Sequence, residues 1–176
     1  VFSGAHSDSV TVGPGINDNG SGLLAQLEVA KQLANFKVNN AVRFAWWAAE
    51  ENGLKGSLHY TENLTKREAA KIRLFLDYDM LGSRNYIYEI YDSDDSDDSD
   101  NPKGSSALRD MYIAWYEKHG YNYTLQEFDG RSDYVGFVEI GIPSSGIDAG
   151  VEEIKTDKNV EQFGGKSGVA FDECYH

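Results

Sequence analysis

The stretch Ala41–Gly53, AVRFAWWAAEENG, decides the fold, because a run of large apolar residues ends there at two adjacent carboxylates. Its apolar part, Val42–Ala49, is typical of a strand buried on both faces, as in a parallel sheet covered by helices. Such sheets bind ligands beyond the carboxyl ends of their strands, which is where Glu50 and Glu51 stand. Since neighbouring strand residues point to opposite faces, both acids reach one site only if the backbone turns. Asn52–Gly53 predicts that turn.

Composition bounds the class of protein. With 176 residues, of which 40% are hydrophobic, the chain can bury one core, and residues 1–176 are predicted to form a single domain. A net charge of −13 argues against nucleic acid and anionic membranes as partners and would attract a free amino terminus. Six of the acids lie in Asp92–Asp100, which is predicted as a solvated loop. No apolar run approaches the length of a membrane span.

Strand and helix patterns alternate along the chain. Strands are predicted at 1–10, 42–49, 72–80, 86–91, 124–128 and 142–147, and helices at 23–36, 105–119 and 132–140. A capping box at Thr65–Glu68 predicts a further short helical segment, and residues 151–176 are predicted to be mostly loop. This alternation favours an α/β fold, a three-layer sandwich with a mixed, mostly parallel sheet and helices on both faces.

Acids and imidazoles at several predicted strand ends indicate a metal site. His6 and Asp8 are two residues apart, so on a strand they share a face, and Asp8 can accept the proton of a ligating imidazole. Asp18 follows in a glycine-rich loop, Asp79 ends a later strand, and His176 closes the chain. Each has an ordinary alternative when taken alone, such as an exposed polar pair at a strand end. Together they are expected to converge at one edge of the sheet.

Two histidines and three carboxylates, one of them shared, would give each of two zinc ions three protein ligands. One glutamate of the Glu50–Glu51 pair would then be left over. A free carboxylate beside an activated water is what a hydrolytic general base requires. The alternative for the pair is an acidic first turn of a helix, which the helix dipole favours.

Five segments of the chain, in the same order, resemble the M28 zinc aminopeptidases. They are Gly4–Val10, Gly13–Gly22, Val42–Ser57, Asp79–Ser83 and Ala170–His176. The resemblance runs from end to end and extends to the GRSDY sequence of Gly130–Tyr134, shared with fungal secreted and vacuolar members. It implies a zinc exopeptidase fold and a metalloaminopeptidase that acts on peptides with a free N-terminus. It also implies two zinc ions per chain, which cobalt can replace.

The resemblance assigns roles to individual residues. Asp18 is expected to bridge the metals, His6 and Asp79 to complete one site, Glu51 and His176 to complete the other, Glu50 to be the catalytic base, and Tyr175 to donate to the oxyanion. A cis peptide bond is expected at Asp18–Asn19. Arg131 and Asp133 are expected to bind the substrate, with a structural salt bridge as the alternative.

Asp148 stands where related enzymes tend to carry an aromatic residue. It is predicted to line the side-chain pocket and to favour Lys or Arg, the alternative being an acid that faces solvent.

Compared with that family, the chain begins late and stops at His176, so it is expected to be the central part of a longer catalytic domain, incomplete at both ends. Sequons at Asn19, Asn63 and Asn122 suit a secreted or vacuolar glycoprotein. Asn63 and Asn122 are the favoured sites because Asn19 adjoins a predicted ligand. A metal-free M28-like binding module and a glutaminyl-cyclase-like transferase with one zinc are the alternative functions. The presence of a competent residue at every ligand position favours the two-metal peptidase.

Overall fold

Strands and helices alternate in the computed structural model, which describes residues 1–96 and 99–176. The strands are β1 (Phe2–His6), β2 (Arg43–Trp47), β3 (Phe75–Tyr78), β4 (Glu89–Tyr91), β5 (Thr124–Gln126) and β6 (Ser144–Asp148). The helices are α1 (Gly20–Leu33), α2 (Lys55–Glu62), α3 (Lys66–Ala69), α4 (Ser105–His119), α5 (Val135–Glu139) and α6 (Asp157–Phe163). Asp97 and Asp98, within the predicted solvated loop, lie outside the described residues.

The six strands form one mixed sheet in the order β2-β1-β3-β6-β4-β5. All neighbouring pairs are parallel except β4 and β6, which run antiparallel. Helices cover both faces, as adjacent residues of β2 show: Trp47 packs on Tyr60 of α2, whereas the indole N–H of Trp46 donates to the Leu23 carbonyl of α1. The predicted α/β fold is therefore confirmed. No helix in the described part of the chain is long and apolar enough to span a bilayer.

Aromatic side chains fill the core under β1 and β3. Phe75 stacks on Phe137 of α5 with ring centroids 3.9 Å apart, and Phe2 meets both rings edge-on. The backbone of β1 approaches these rings so closely that a Cβ at Gly4 would lie 2.6 Å from atoms of Phe75 and Trp47. Burying aromatic side chains contributes about 1.5–3 kcal/mol each, so this cluster anchors the strand that carries His6.

The prediction that Val42–Ala49 forms a strand buried on both faces is wrong. β2 lies at the edge of the sheet and pairs only with β1, and Trp46 is 39% exposed. The apolar run has another cause: Trp47 fills the core on one face, while Trp46 stacks on Phe44 over the first turn of α1 on the other. Large aromatic residues can thus cover an edge strand that helices shield only in part.

Two helices were not expected from the sequence. α2 begins after Leu54, a left-handed residue without a side-chain cap, and depends on packing against α5, where a Cβ at Gly136 would lie 2.3 Å from Thr61 Oγ1. α6 lies within the segment predicted as loop, although Thr156 and Asn159 form a capping box, which is a signal for the start of a helix. The other predicted elements are present with shifted ends, and α4 ends before left-handed Gly120 as predicted.

Candidate functional site

The predicted ligands converge at one edge of the sheet. His6 is the last residue of β1, Glu51 follows β2, and Asp79 follows β3. Because these strands are parallel neighbours, their carboxyl ends meet at the same edge. Asp18, from the loop before α1, and His176, from the end of the chain, come within hydrogen-bonding range of these residues.

A left-handed residue brings both glutamates into the site. Ala49 has φ 58°, so the backbone turns before Glu50 and not only at the predicted Asn52–Gly53. The Asp8 carboxylate holds this turn by accepting the backbone N–H groups of Glu50 at 3.0 Å and Glu51 at 3.3 Å. Two adjacent side chains that would diverge on a regular strand therefore both line one cavity, which lies at this edge of the sheet.

Asp8 supports His6 differently from the prediction. β1 ends at His6, so the two residues do not share a strand face. The backbone carbonyl of Asp8 lies 3.2 Å from His6 Nδ1, and its carboxylate Oδ1 lies 3.6 Å away. Since a carbonyl can only accept, Nδ1 carries the proton and Nε2 is left free to bind a metal.

Asn19 fixes the loop that carries Asp18. The bond between them is cis, as expected. The Asn19 amide donates to the Tyr78 carbonyl at 3.0 Å, and its Oδ1 accepts the N–H groups of Gly22 at 3.0 Å and Met80 at 3.3 Å. One buried side chain thus caps α1 and ties the loop of Asp18 to the turn of Asp79.

Asp18 lies between the two histidines. Its Oδ1 is 2.9 Å from His6 Nε2, and its Oδ2 is 3.3 Å from His176 Nε2. Asp79 Oδ1 is 3.4 Å from His6 Nε2, and Glu51 Oε2 is 3.3 Å from His176 Nε2. Each histidine therefore has Asp18 and one further carboxylate within 3.4 Å of its Nε2.

The donor atoms of this cluster fit a metal. His6 Nε2, Asp18 Oδ1, Glu51 Oε1, Asp79 Oδ1 and His176 Nε2 are buried without hydrogen-bond partners among the described residues. Burial lowers the pKa of His6, yet the carboxylates of Asp18 and Asp79, 2.9 and 3.4 Å from its Nε2, prevail and raise that pKa to about 12. The carboxylates thus hold a cation on His6, either a proton or a metal ion in its place. Imidazole nitrogen and carboxylate oxygen are ligands of zinc.

Glu50 stands beside this cluster. Its Oε2 is 3.9 Å from His6 Nε2, farther than the nearest oxygen of Asp18, although Glu50 could also complete a ligand group with His6 and Asp79. Burial raises the pKa of Glu50 to about 8, with Asp79 and Asp133 adding to the rise and His6 opposing it. A carboxyl with such a pKa can both take and return a proton near neutrality.

Ser132 supports the site but was not predicted. Its hydroxyl donates to Asp79 Oδ2 at 2.9 Å, leaving Oδ1 of that carboxylate free toward His6. The neighbouring Asp133 was predicted to bind substrate, but it is fully buried and does not line the cavity. Because Ser132 faces the cavity, the next side chain turns into the protein, where burial raises the pKa of Asp133 to about 7. Asp133 is too deep to contact a substrate, so that prediction is wrong.

Arg131 and Tyr175 lie together at the cavity rim. Arg131 pairs with Glu152 at 3.0 Å, and its Nη2 donates to the Tyr175 hydroxyl at 3.2 Å. The Tyr175 ring also stacks on His176, with centroids 3.8 Å apart. Burial raises the pKa of Tyr175 to about 12, so the hydroxyl keeps its proton at neutral pH. Both side chains line a cavity of about 320 Å³ that also contains Glu50.

Asp148 lies at the same cavity and is buried, with only 4% of its surface exposed. It stands at the end of β6, beside Tyr91 and Gln126 in the cavity wall. Asp148 Oδ2 and Gln126 Oε1 are buried acceptors without a donor among the described residues. The solvent-facing alternative for Asp148 is therefore wrong, and the cavity offers unsatisfied acceptors to a hydrogen-bond donor.

The family assignment rests on the whole chain. The sequence profile of peptidase family M28 matches residues 1–176, and the chain belongs to this family. It is 57% identical over 176 residues to aminopeptidase Y of Saccharomyces cerevisiae, matching all of this chain and 30% of that protein. It is 48% identical over 177 residues to leucine aminopeptidase 2 of Trichophyton equinum, matching all of this chain and 36% of that protein. The chain thus spans about a third of the length of these relatives.

A solved structure supports the same assignment. The zinc aminopeptidase BSAP from Bacillus subtilis superposes with a TM-score of 0.74 at 29% identity, over 92% of this chain and 40% of that one. The likeness extends the family match from sequence to fold.

Proposed function

We propose that the chain is the metal-binding core of an aminopeptidase that hydrolyses the N-terminal peptide bond of peptides and proteins. The position of Asp18 carries the proposal, because its two oxygens face His6 and His176 while Glu50 remains beside them at the cavity. Two zinc ions per chain would be held by His6, Asp18 and Asp79 and by Asp18, Glu51 and His176, and cobalt could replace them. The names of the relatives support the activity.

When bound, the zinc ions would polarise the scissile carbonyl and acidify a water molecule. Glu50 is the general base that takes the proton of this water and later passes it to the leaving amine. The Tyr175 hydroxyl donates a hydrogen bond to the developing oxyanion. Because Arg131 donates to the oxygen of this hydroxyl, the hydroxyl proton is free for that role.

The acidic cavity suits a free amino terminus. Glu50 and Asp129, which are not among the proposed zinc ligands, line it, and their carboxylates attract an α-ammonium group when ionised. Arg131 contributes by holding Tyr175 and Glu152 at the rim. A peptide with a blocked N-terminus lacks the cation that this surface selects. The partner is therefore a peptide and not a nucleic acid or a membrane.

The test compares free and N-acetylated leucine p-nitroanilide, with and without 1,10-phenanthroline, and measures zinc by mass spectrometry of the purified protein. Hydrolysis of the free substrate alone, abolished by chelator and restored by zinc, supports the proposal. Cyclisation of N-terminal glutamine without peptide hydrolysis would indicate the transferase instead. A protein without zinc or turnover would be the binding module.

Asp148 is the specificity residue of the proposed side-chain pocket. A buried carboxyl without a fixed cationic partner favours a first residue that brings its own cation, Lys or Arg. A neutral first residue leaves the same acceptor unsatisfied, which costs about 1–3 kcal/mol.

Replacing Asp148 with asparagine is therefore expected to lower the ratio of kcat/KM for lysine over leucine p-nitroanilide by about tenfold or more. Steady-state kinetics measure the ratio, and Glu161→Gln, an exposed acid on α6, is the control. An unchanged ratio in Asp148→Asn would contradict the role of this residue.

The sequons support a secreted or vacuolar glycoprotein unequally. Asn19 is 1% exposed, whereas Asn63 and Asn122 are exposed. After expression in a eukaryotic secretory host, enzymatic deglycosylation in ¹⁸O-water should label Asn63 and Asn122 but not Asn19 in peptide mass spectra. Labelled Asn19, or two unlabelled exposed sites, would be the contrary result. Asn122→Gln provides a control for site assignment.

A further inference from the structure

Two acidic side chains lie next to each other at the wall of the cavity. Glu89 of β4 stands directly opposite Asp148 of β6 in the antiparallel register, so both side chains point to the same face of the sheet. Cross-strand partners have Cβ atoms about 4.5–5.5 Å apart, close enough for the two carboxyls to touch. Asp148 lines the cavity, while Glu89 is half-buried beside it.

The two carboxyls lie on the same face of paired strands, and a hydrogen bond between them would require a proton. Thr124 donates to Glu89 Oε1 at 3.1 Å, and the Gly150 N–H donates to Asp148 Oδ1 at 2.7 Å. Asp148 Oδ2 is buried and has no donor among the described residues. Two ionised carboxylates only accept hydrogen bonds, so they can be hydrogen-bonded to each other only if one of them is protonated.

We propose that Glu89 is a positioning residue for Asp148: by sharing a proton with it, Glu89 sets the pH above which the pocket prefers a basic first residue. This inference rests on the proposed peptidase function. A cationic side chain that enters the cavity favours an ionised Asp148, whereas the adjacent acid Glu89 opposes that ionisation. With a neutral residue in place of Glu89, Asp148 should therefore ionise at a lower pH.

The surroundings fix the direction of the effect. Burial raises the pKa of Asp148 well above its ordinary value, and Glu89 raises it further. Asp79 acts on Asp148 and Glu153 acts on Glu89, and both raise these pKa values. Tyr91 and Tyr116, which face Asp148, stay neutral because burial raises their own pKa values. Asp148 is therefore uncharged at low pH and ionises as the pH rises, so the preference for a basic residue appears with rising pH.

The experiment uses the zinc-loaded protein and two matched substrates, lysine and norleucine p-nitroanilide, which differ only in the side-chain ammonium group. The ratio of their kcat/KM values is measured against pH, because titration of the shared catalytic groups divides out. In the wild type the ratio should rise along a titration curve. Glu89→Gln removes the neighbouring acid, so its curve should move to lower pH by about one unit or more. Glu153→Gln, an exposed acid outside the pair, is the control and should move the curve less.

A ratio that stays constant with pH in the wild type overturns the inference, even if Glu89→Gln fails to fold. A midpoint that Glu89→Gln leaves unchanged, or that Glu153→Gln moves equally, also overturns it. In each of these cases turnover of norleucine shows that the peptidase function stands. Absence of zinc-dependent turnover of either substrate would overturn both proposals.

Discussion

Replacing Glu50 with glutamine is expected to lower kcat by about 10²–10⁴-fold while zinc stays bound. The amide keeps the shape of the side chain but cannot take a proton. Glu50 Oε2 is 3.9 Å from His6 Nε2, whereas Asp18 and Asp79 present closer oxygens, so the proposed ligand set does not require Glu50. Steady-state kinetics and zinc content of the same preparation measure the two effects.

The neighbouring residue gives a matched control for this variant. Glu51→Gln makes the same chemical change one position along the turn, but Glu51 Oε2 faces His176 Nε2 at 3.3 Å. It should therefore lose zinc, while Glu50→Gln should not. If Glu50→Gln loses zinc to the same degree, Glu50 is a metal ligand and not the base. If the variant keeps most of its turnover, Glu50 has no catalytic role.

The strand ends and the convergence of acids and imidazoles at one edge of the sheet were predictable because they depend on local patterns. Apolar runs that stop at acids indicated the sheet edge, and parallel strands must bring their carboxyl ends together. The sequence alone therefore places His6 and Asp79 near one another, and their side chains do meet. The resemblance to M28 enzymes added Asp18 as the residue between the histidines, in agreement with the distances from its two oxygens.

The supporting contacts were not predictable, because they join residues distant in sequence. The amide groups of the glutamate turn are held by Asp8, 42 positions from Glu50, and Asp79 is held by Ser132, 53 positions away. The burial of Asp133 follows from the side of the chain that Ser132 already uses. The role proposed for Glu89 was not predictable, because it depends on the antiparallel register of β4 and β6, which the sequence does not show.

Edge and centre of the sheet were also indistinguishable from composition. The aromatic residues of β2 satisfy the same hydrophobic pattern as a central strand, because helix α1 and the core each cover one side of it. The error leaves the site prediction intact, since the position of Glu50 and Glu51 depends on where β2 ends and on its pairing with β1.

Replacing Asp18 with asparagine is expected to remove zinc from both sites. The carboxylate presents one oxygen to each histidine, whereas an amide has a single acceptor oxygen and an NH₂ group that cannot bind a metal. Loss of the shared negative charge also leaves each site with one carboxylate. Residues that only support a ligand change metal affinity about 10–100-fold, so loss of the shared ligand should weaken zinc binding by more than about 100-fold. Titration with a chromophoric chelator measures both the stoichiometry and the affinity.

Asp79→Asn distinguishes a bridging ligand from an ordinary one. Asp79 faces only His6, and Ser132 can still hydrogen-bond to the oxygen of an asparagine there, so one zinc site should remain intact. Asp18→Asn should lose both, and circular dichroism should show that each variant is folded. If Asp18→Asn keeps one tightly bound zinc, as Asp79→Asn does, Asp18 serves a single metal. The carboxylate between the two histidines would then be a hydrogen-bond acceptor for one of them and not the bridge that joins two sites.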